Sequence, residues 1–390
     1  MSRESIVSPL KSRRQEIPHP VKVVNDPEGI TTAVLLRCRP LVRQLKFILC
    51  LAGTRVSDVP DVSAAGTTPT ARRLTPALDA DLLLMGKLSA GSMIPRSPAG
   101  VVSPVILTRA CAQLFEWPIT VVDCGVFQTP QASFISLGNT VADCISTGFA
   151  QPRSTVDRLF EEGFAMGKEL AGRSQFLVLA ESVPGGTTTA LAVLTLLGYD
   201  VAGLISTSLP NPNRAIKQEL LQVGLTRLGQ ERSYFKSDPL AALAAMGDPM
   251  QAVVAGMALA AADSIPVILA GGSQMLAVYA IFSRLWTKSA QAERKPNLIV
   301  CTSRWIVNDS AADTRHLAQL LEAPLAFADI DFSQSRHHGL KLYEQGHVKE
   351  GCGAGAALLL SCLSGEFSEN EIIKAIDATY DQMIVAPASN

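Results

Sequence analysis

Seven short runs of contiguous apolar residues constrain what this chain can fold into more than any other feature. Lys46 to Leu51, Ile119 to Cys124, Gln175 to Ala180, Val201 to Ile205, Pro266 to Ala270, Asn297 to Cys301 and Leu325 to Ile330 are each dominated by aliphatic side chains. A strand with one wet face alternates apolar with polar residues. A strand that is apolar throughout is covered on both faces, the condition of a parallel sheet sandwiched between helices. Most of these runs lead through small or polar residues into a helical pattern, as βα units require. The sequence therefore predicts an α/β fold, a mostly parallel open sheet with helices on both faces (Rossmann-like). The α/β domain is expected over 43–365, after an N-terminal arm or small helical part over 1–42 and before a helical tail over 366–390. The two ends would form a small helical appendage. With 390 residues, 47% of them hydrophobic, the chain has ample apolar surface for such a core.

Charge and composition narrow the function. A formal net charge of −1 leaves no basic field for nucleic acid, and the cluster Lys11, Arg13 and Arg14 lies in a polar opening with no apolar targeting core. The most apolar long stretch, Pro249 to Ala262, falls short of the roughly 20 residues a membrane span needs and is bracketed by Asp248 and Asp263, so it reads as a buried helix. Eight cysteines without a C-x-x-C pair behave as reduced, buried thiols, which suits a cytoplasmic protein. His337, His338, His347 and Glu350 fit no standard zinc spacing, and no metal site is expected.

Open parallel sheets bind ligands beyond the carboxyl ends of their strands. One such end reads ESVPGGTT, Glu181 to Thr188. A helix opening with Gly185, Gly186, Thr187 and Thr188 offers unpaired N–H groups and hydroxyls at the positive end of its dipole, a ready phosphate site. No lysine follows the glycines, so this is no triphosphate-binding loop and a monophosphate fits better. A plain tight turn is the alternative reading. HVKEGCGAGAALLLSCL repeats the chemistry, with Glu350 ahead of Gly351, Gly353 and Gly355. Either glutamate alone is an ordinary helix cap, but a carboxylate in a partly apolar pocket has a raised pKa and accepts a proton near neutral pH. Ser57 to Gly100 reads as a long loop around one short helical stretch, a substrate cover or a surface excursion. Asp79 and Asp81 read as helix-start or solvated carboxylates, and Trp117 and Trp305 as core, with Trp305 also placed at a strand end.

These stretches resemble the nicotinate-nucleotide:dimethylbenzimidazole phosphoribosyltransferase family. Glu181 to Thr188 looks like its E-x-G-x-x-N-T-T motif, and Lys349 to Ala354 like its G-E-G-[ST]-G-A motif. PNPNRAIKQELL, Pro210 to Leu221, is similar to the segment whose lysine serves the nucleotide phosphate, here Lys217. AGGSQ resembles the family's small Asp-Gly turn, and VVDCGV its V-x-D-x-G strand end, so the likeness runs in order from Lys46 to Leu363. Gly186 stands where the family usually has asparagine, Lys349 where it has glycine, and Ala52 to Arg55 where the enzymes carry Asp-His-Gly. The resemblance implies a cobamide-pathway transferase, a homodimer as is typical of the family, that uses nicotinate mononucleotide and an aromatic base and needs no cofactor. Glu350 would be the general base and Glu181 the residue that organises the ribose or steadies its charge. Gly185, Gly186, Thr187, Thr188, Lys217, Gly271, Gly272, Ser273, Gly351 and Gly353 would bind substrate and phosphate. The same fold with another base or donor, or a non-catalytic nucleotide sensor, are the alternatives.

Overall fold

The computed structural model describes residues 16–385 except 90, 139, 211, 212, 230 and 231. The cluster Lys11, Arg13 and Arg14 and the last residues of the tail thus lie outside the described residues, as do two positions of the Pro210 to Leu221 segment.

Eight strands form one sheet: β1 (Val21–Asn25), β2 (Leu45–Leu51), β3 (Ile119–Asp123), β4 (Ile135–Ser136), β5 (Phe176–Ser182), β6 (Val267–Ala270), β7 (Leu298–Ser303) and β8 (Leu325–Ala328). Their spatial order is β1-β8-β7-β6-β5-β2-β3-β4, with every pairing parallel except β1 on β8. The helices that matter below are α1 (Ile30–Cys38), α2 (Pro69–Met85), α3 (Val105–Phe115), α4 (Arg153–Ala171), α5 (Gly186–Leu196), α6 (Arg214–Arg227), α7 (Pro249–Ala261), α8 (Ser273–Trp286), α9 (Ala354–Ser364) and α10 (Glu369–Tyr380).

Side chains of successive strand residues leave the sheet on opposite faces. Ile48, Leu177, Leu179, Val267, Leu269 and Val300 pack against α4, α5, α7 and α8, while Phe47, Leu49, Phe176, Val178, Ile268 and Ile299 pack against α1, α2, α3, α9 and α10. Two apolar cores, one on each face, are what the contiguous apolar runs required. The stretch read as a buried helix is α7, capped by Asp248, whose side chain accepts the Gln251 N–H.

Two elements differ from the sequence reading. Val201 to Ile205 is not a strand: the Leu204 N–H donates to the Val201 carbonyl at 3.1 Å in a turn, and Gly203 takes φ +77°, which ends any extended run. Its buried Val201 and Ile205 anchor a loop instead of crossing the sheet. The short helical stretch expected within 57–100 is the 17-residue α2, with Pro69 in its first turn and Pro76 inside it. Proline is welcome in a first turn, so Pro69 opens the helix. Arg72, 4% exposed, clasps the preceding loop to this helix by donating to the carbonyls of Ser57 at 2.6 Å and Val59 at 3.1 Å.

From β2 the chain moves one way across the sheet to β3 and β4, and from β5 the other way to β6, β7 and β8. The crevice beyond the ends of β2 and β5 is therefore the topological switch point, where ligands of open α/β sheets bind.

Candidate active site

Both glutamate loops meet at that crevice. Glu181 is the penultimate residue of β5 and 4% exposed, and its Oε2 accepts the Val183 N–H at 2.9 Å. The chain then turns through Gly185, whose φ of +90° suits glycine, and enters α5 at Gly186. Lys217 reaches in from α6 and donates to Thr187 Oγ1 at 2.7 Å. Burial, then the charges of Arg214 and Lys349, push the Lys217 ammonium down to about 7. A lysine held at this cost beside a helix N-terminus gains from an arriving anion.

The second loop is strained. Val348, Lys349 and Cys352 have φ of 69°, 64° and 53°, a region that non-glycine residues rarely occupy and a β-branched residue least of all. The strain turns Glu350 inward. Its Oε1 accepts the N–H groups of Gly351 and Gly355 at 3.1 Å each, and its Oε2 accepts the Thr302 hydroxyl at 3.3 Å. A Cβ on Gly355 would run into the Thr302–Ser303 backbone and the Glu350 carboxylate, so only glycine fits there. Lys349 is turned away from Glu350 and pairs with Asp309 at 2.7 Å, both side chains buried, while Asp309 also accepts the Ser206 hydroxyl at 2.7 Å. The Cys352 N–H donates to the Glu181 carbonyl at 2.9 Å and ties the two loops together.

The two carboxyls are electrostatically distinct. Burial, and then the neighbouring Glu350, Asp248 and Asp79, raise Glu181 to about 8. Burial also raises Glu350, but the N–H groups of Gly355, Gly351 and Ser303 and the Thr302 hydroxyl oppose it. At neutral pH Glu181 keeps its proton, and the donors around Glu350 favour its anion. Two neighbouring carboxyls in such unlike surroundings can hold and accept a proton separately.

A cavity open to solvent lies over these loops. Of the residues singled out in the sequence, Glu181, Gly185, Gly186, Thr187, Gly272, Ser273, Glu350 and Gly351 line it. Lys217 stands behind Thr187. Gly271, Gly353 and Thr188 lie outside the wall: Gly271 continues the β6 ladder to the Cys301 carbonyl, a side chain at Gly353 would strike Ala180 and Phe47, and Thr188 is fully buried in the first turn of α5. The 57–100 segment contributes Ser63, Ala64, Thr75, Asp79, Pro95 and Ser97 to another wall. Trp305 is core, tilted against Phe332 and Tyr343, with its indole N–H on Glu344. Among the described residues no group of three or more His, Cys, Asp or Glu side chains is arranged to hold a metal, and His337 stacks on Tyr380.

Asp79 is neither a helix-start cap nor a solvated carboxylate. It lies in the middle of α2, 3% exposed, and accepts the Ser182 hydroxyl at 2.7 Å and the Cys352 thiol at 3.2 Å. An aspartate inside a helix competes with the backbone for hydrogen bonds and is disfavoured, and that is the available signal. Asp81 is buried too, and accepts the N–H groups of Gln131 and Ala132 at 2.8 Å each. Ser103, Ser206 and Thr207 also line the cavity, as does Gln274 of the AGGSQ turn.

Known proteins share this arrangement of strands and loops. A family model described as phosphoribosyltransferase matches residues 107–291, which include the Glu181 loop but not the Glu350 loop. The UPF0284 protein of Gloeobacter violaceus is 41% identical over 86% of this chain and 88% of its own length, and that of Gloeothece citriformis 40% identical over 87% and 91%. The chain belongs to the UPF0284 family. The crystal structure of CobT from Thermus thermophilus shares the UPF0284 fold with a TM-score of 0.57 at 18% identity, covering 93% of this chain and 94% of the other. A nicotinate-nucleotide-dimethylbenzimidazole phosphoribosyltransferase structure from the same organism gives 0.56 at 18% over the same shares.

Proposed function

We propose that this UPF0284 protein moves the 5-phosphoribosyl group of nicotinate mononucleotide to a ring nitrogen of an aromatic base, giving an α-ribosyl phosphate and free nicotinate for cobamide assembly. The phosphate sits at the α5 N-terminus with Lys217 behind it. The base nitrogen attacks the anomeric carbon as the bond to nicotinate breaks, its electron pair leaving on the pyridine nitrogen. The proton on the attacking nitrogen goes to Glu350, and Glu181, which gives up its proton as the cationic nucleotide binds, answers the positive charge that spreads over the ribose. General-base assistance of this kind is worth on the order of 10²- to 10⁴-fold.

The observation that carries the reading is Glu350 itself: half-buried, without a lysine or arginine partner among the described residues, and lining the same cavity as the α5 N-terminus. A nucleotide sensor has no need of an unpaired carboxylate beside an unfilled space. Incubation with nicotinate mononucleotide and a panel of benzimidazoles, purines and phenols, followed by mass spectrometry, tests the proposal: a ribosylated base and nicotinate in equal amounts support it, and their absence across the panel refutes it.

A further inference from the structure

We propose that Asp79 selects the acceptor by taking a hydrogen bond from an N–H or amino group on the edge of the incoming base, so that bases carrying such a donor are preferred over those that are methylated or bare there. The inference rests on the transferase reading above and names its acceptor class.

Asp79 lines the cavity together with Glu181 and Glu350. One carboxylate oxygen, Oδ2, is taken up by the Ser182 hydroxyl and the Cys352 thiol. The other, Oδ1, is buried without a hydrogen-bond partner. No lysine or arginine pairs with Asp79 among the described residues; burial raises its carboxyl to about 6, opposed by Ser103, Ser182 and Cys352, so that at neutral pH it is charged. A buried carboxylate oxygen left without a donor is costly, and the cost is recovered when a ligand supplies one. Cys352 links the parts: its thiol is on Asp79, its N–H is on the Glu181 carbonyl, and it stands two residues from Glu350. Asp79 comes from α2, the element that walls the cavity away from the sheet, so a flat base seated between the strand ends and α2 meets it edge-on.

The test uses the full chain with nicotinate mononucleotide and an equimolar mixture of 5-aminobenzimidazole and 5-methylbenzimidazole, which are close in size and differ in the donor. A hydrogen bond to a charged group predicts a preference for the amino base on the order of ten- to a hundredfold in product ratio. In Asp79→Asn the amide oxygen takes over the Ser182 and Cys352 bonds and the NH₂ replaces Oδ1, so the preference falls to about unity or inverts. A wild-type ratio below about threefold, or an unchanged preference in the Asn variant, overturns the inference. The wild-type ratio decides even if the variant does not fold. Calorimetric titration of each base separates the two claims. Discrimination in binding without product removes the transferase reading and leaves Asp79 as the selecting residue. Product without discrimination does the reverse, and the absence of both overturns both.

Discussion

Glu181→Gln should stabilise the protein by an amount that grows with pH. The carboxyl titrates at about 8 in the folded protein against an ordinary value of 4.5. Between those values the folded protein holds a proton that the unfolded chain has released, so stability falls as pH rises, by about 1.4 kcal/mol per unit. Below the lower value both states are protonated and above the upper one both are ionised, so the slope vanishes outside the window. At pH 7 the penalty is about 3 kcal/mol, and above pH 8 it levels off at about 5 kcal/mol. Glutamine keeps an acceptor for the Val183 N–H and does not titrate. The variant should therefore gain about 3.5 kcal/mol more at pH 8 than at pH 5 relative to wild type, read from urea denaturation at both values. Parallel pH profiles for the two proteins would refute the assignment of a proton to Glu181. The same carboxyl should respond to ligand. The pyridinium of nicotinate mononucleotide favours the Glu181 anion, so binding at pH 7 should release a proton in wild type but not in the variant, measured by calorimetry in buffers of different ionisation enthalpy.

Glu350→Gln should bind nicotinate mononucleotide as wild type does and turn over at least about a hundredfold more slowly, since the isostere keeps shape and loses basicity; near-normal kcat would remove Glu350 from the mechanism. Lys217→Ala should weaken nicotinate mononucleotide binding by about tenfold or more, because the cation behind Thr187 at the α5 N-terminus is gone, and isothermal titration reads it directly. Lys349→Ala should cost about 3 to 5 kcal/mol in chemical denaturation by stranding the buried Asp309, and Lys349→Gly about 1 kcal/mol less because glycine relieves the left-handed backbone; equal losses would deny that the strain is real.

What can be read in the sequence is what is local. β2, β5, β6 and β7 are legible because both their faces are buried, so nearly every residue is apolar. β1 is not, because most of its five residues are only half-buried, as befits an antiparallel edge strand, and it lies in a stretch that reads as an arm. Val201 to Ile205 has a strand's composition, but Gly203 permits the turn that tertiary contacts impose. Glu181 and Glu350 are visible from the glycines beside them, yet nothing local shows that the Cys352 N–H binds the Glu181 carbonyl or that Lys349 turns to Asp309 and leaves Glu350 unpaired. Asp79 is hidden for the same reason. Its partners Ser182 and Cys352 are remote in sequence, and the prolines of α2 disguise the helix that carries it.

The positions at which this chain departs from the family's motifs have a common logic. Lys349 stands where the family has glycine, and its φ of +64° is the conformation glycine adopts freely, so the second loop keeps its backbone path. The lysine side chain that replaces the missing hydrogen is tethered by Asp309 and pulled off Glu350. Gly186 stands where the family usually has asparagine, and a side chain there would collide with the amide of Gln274. That amide lines the cavity from α8, and its Oε1 has no partner among the described residues. The Gln274 carboxamide thus occupies the space a side chain at 186 would enter. At the end of β2, where the enzymes carry Asp-His-Gly, no such accommodation is seen. Thr54 caps the turn that follows by accepting the Val56 N–H, and Arg55 pairs outward with Asp143 at 3.2 Å. That strand end adjoins the wall formed by the 57–100 segment and Asp79. On the transferase reading proposed above, change that is accommodated beside Gly186 and not beside Ala52 to Arg55 is the pattern expected of an enzyme that kept its donor and changed its base.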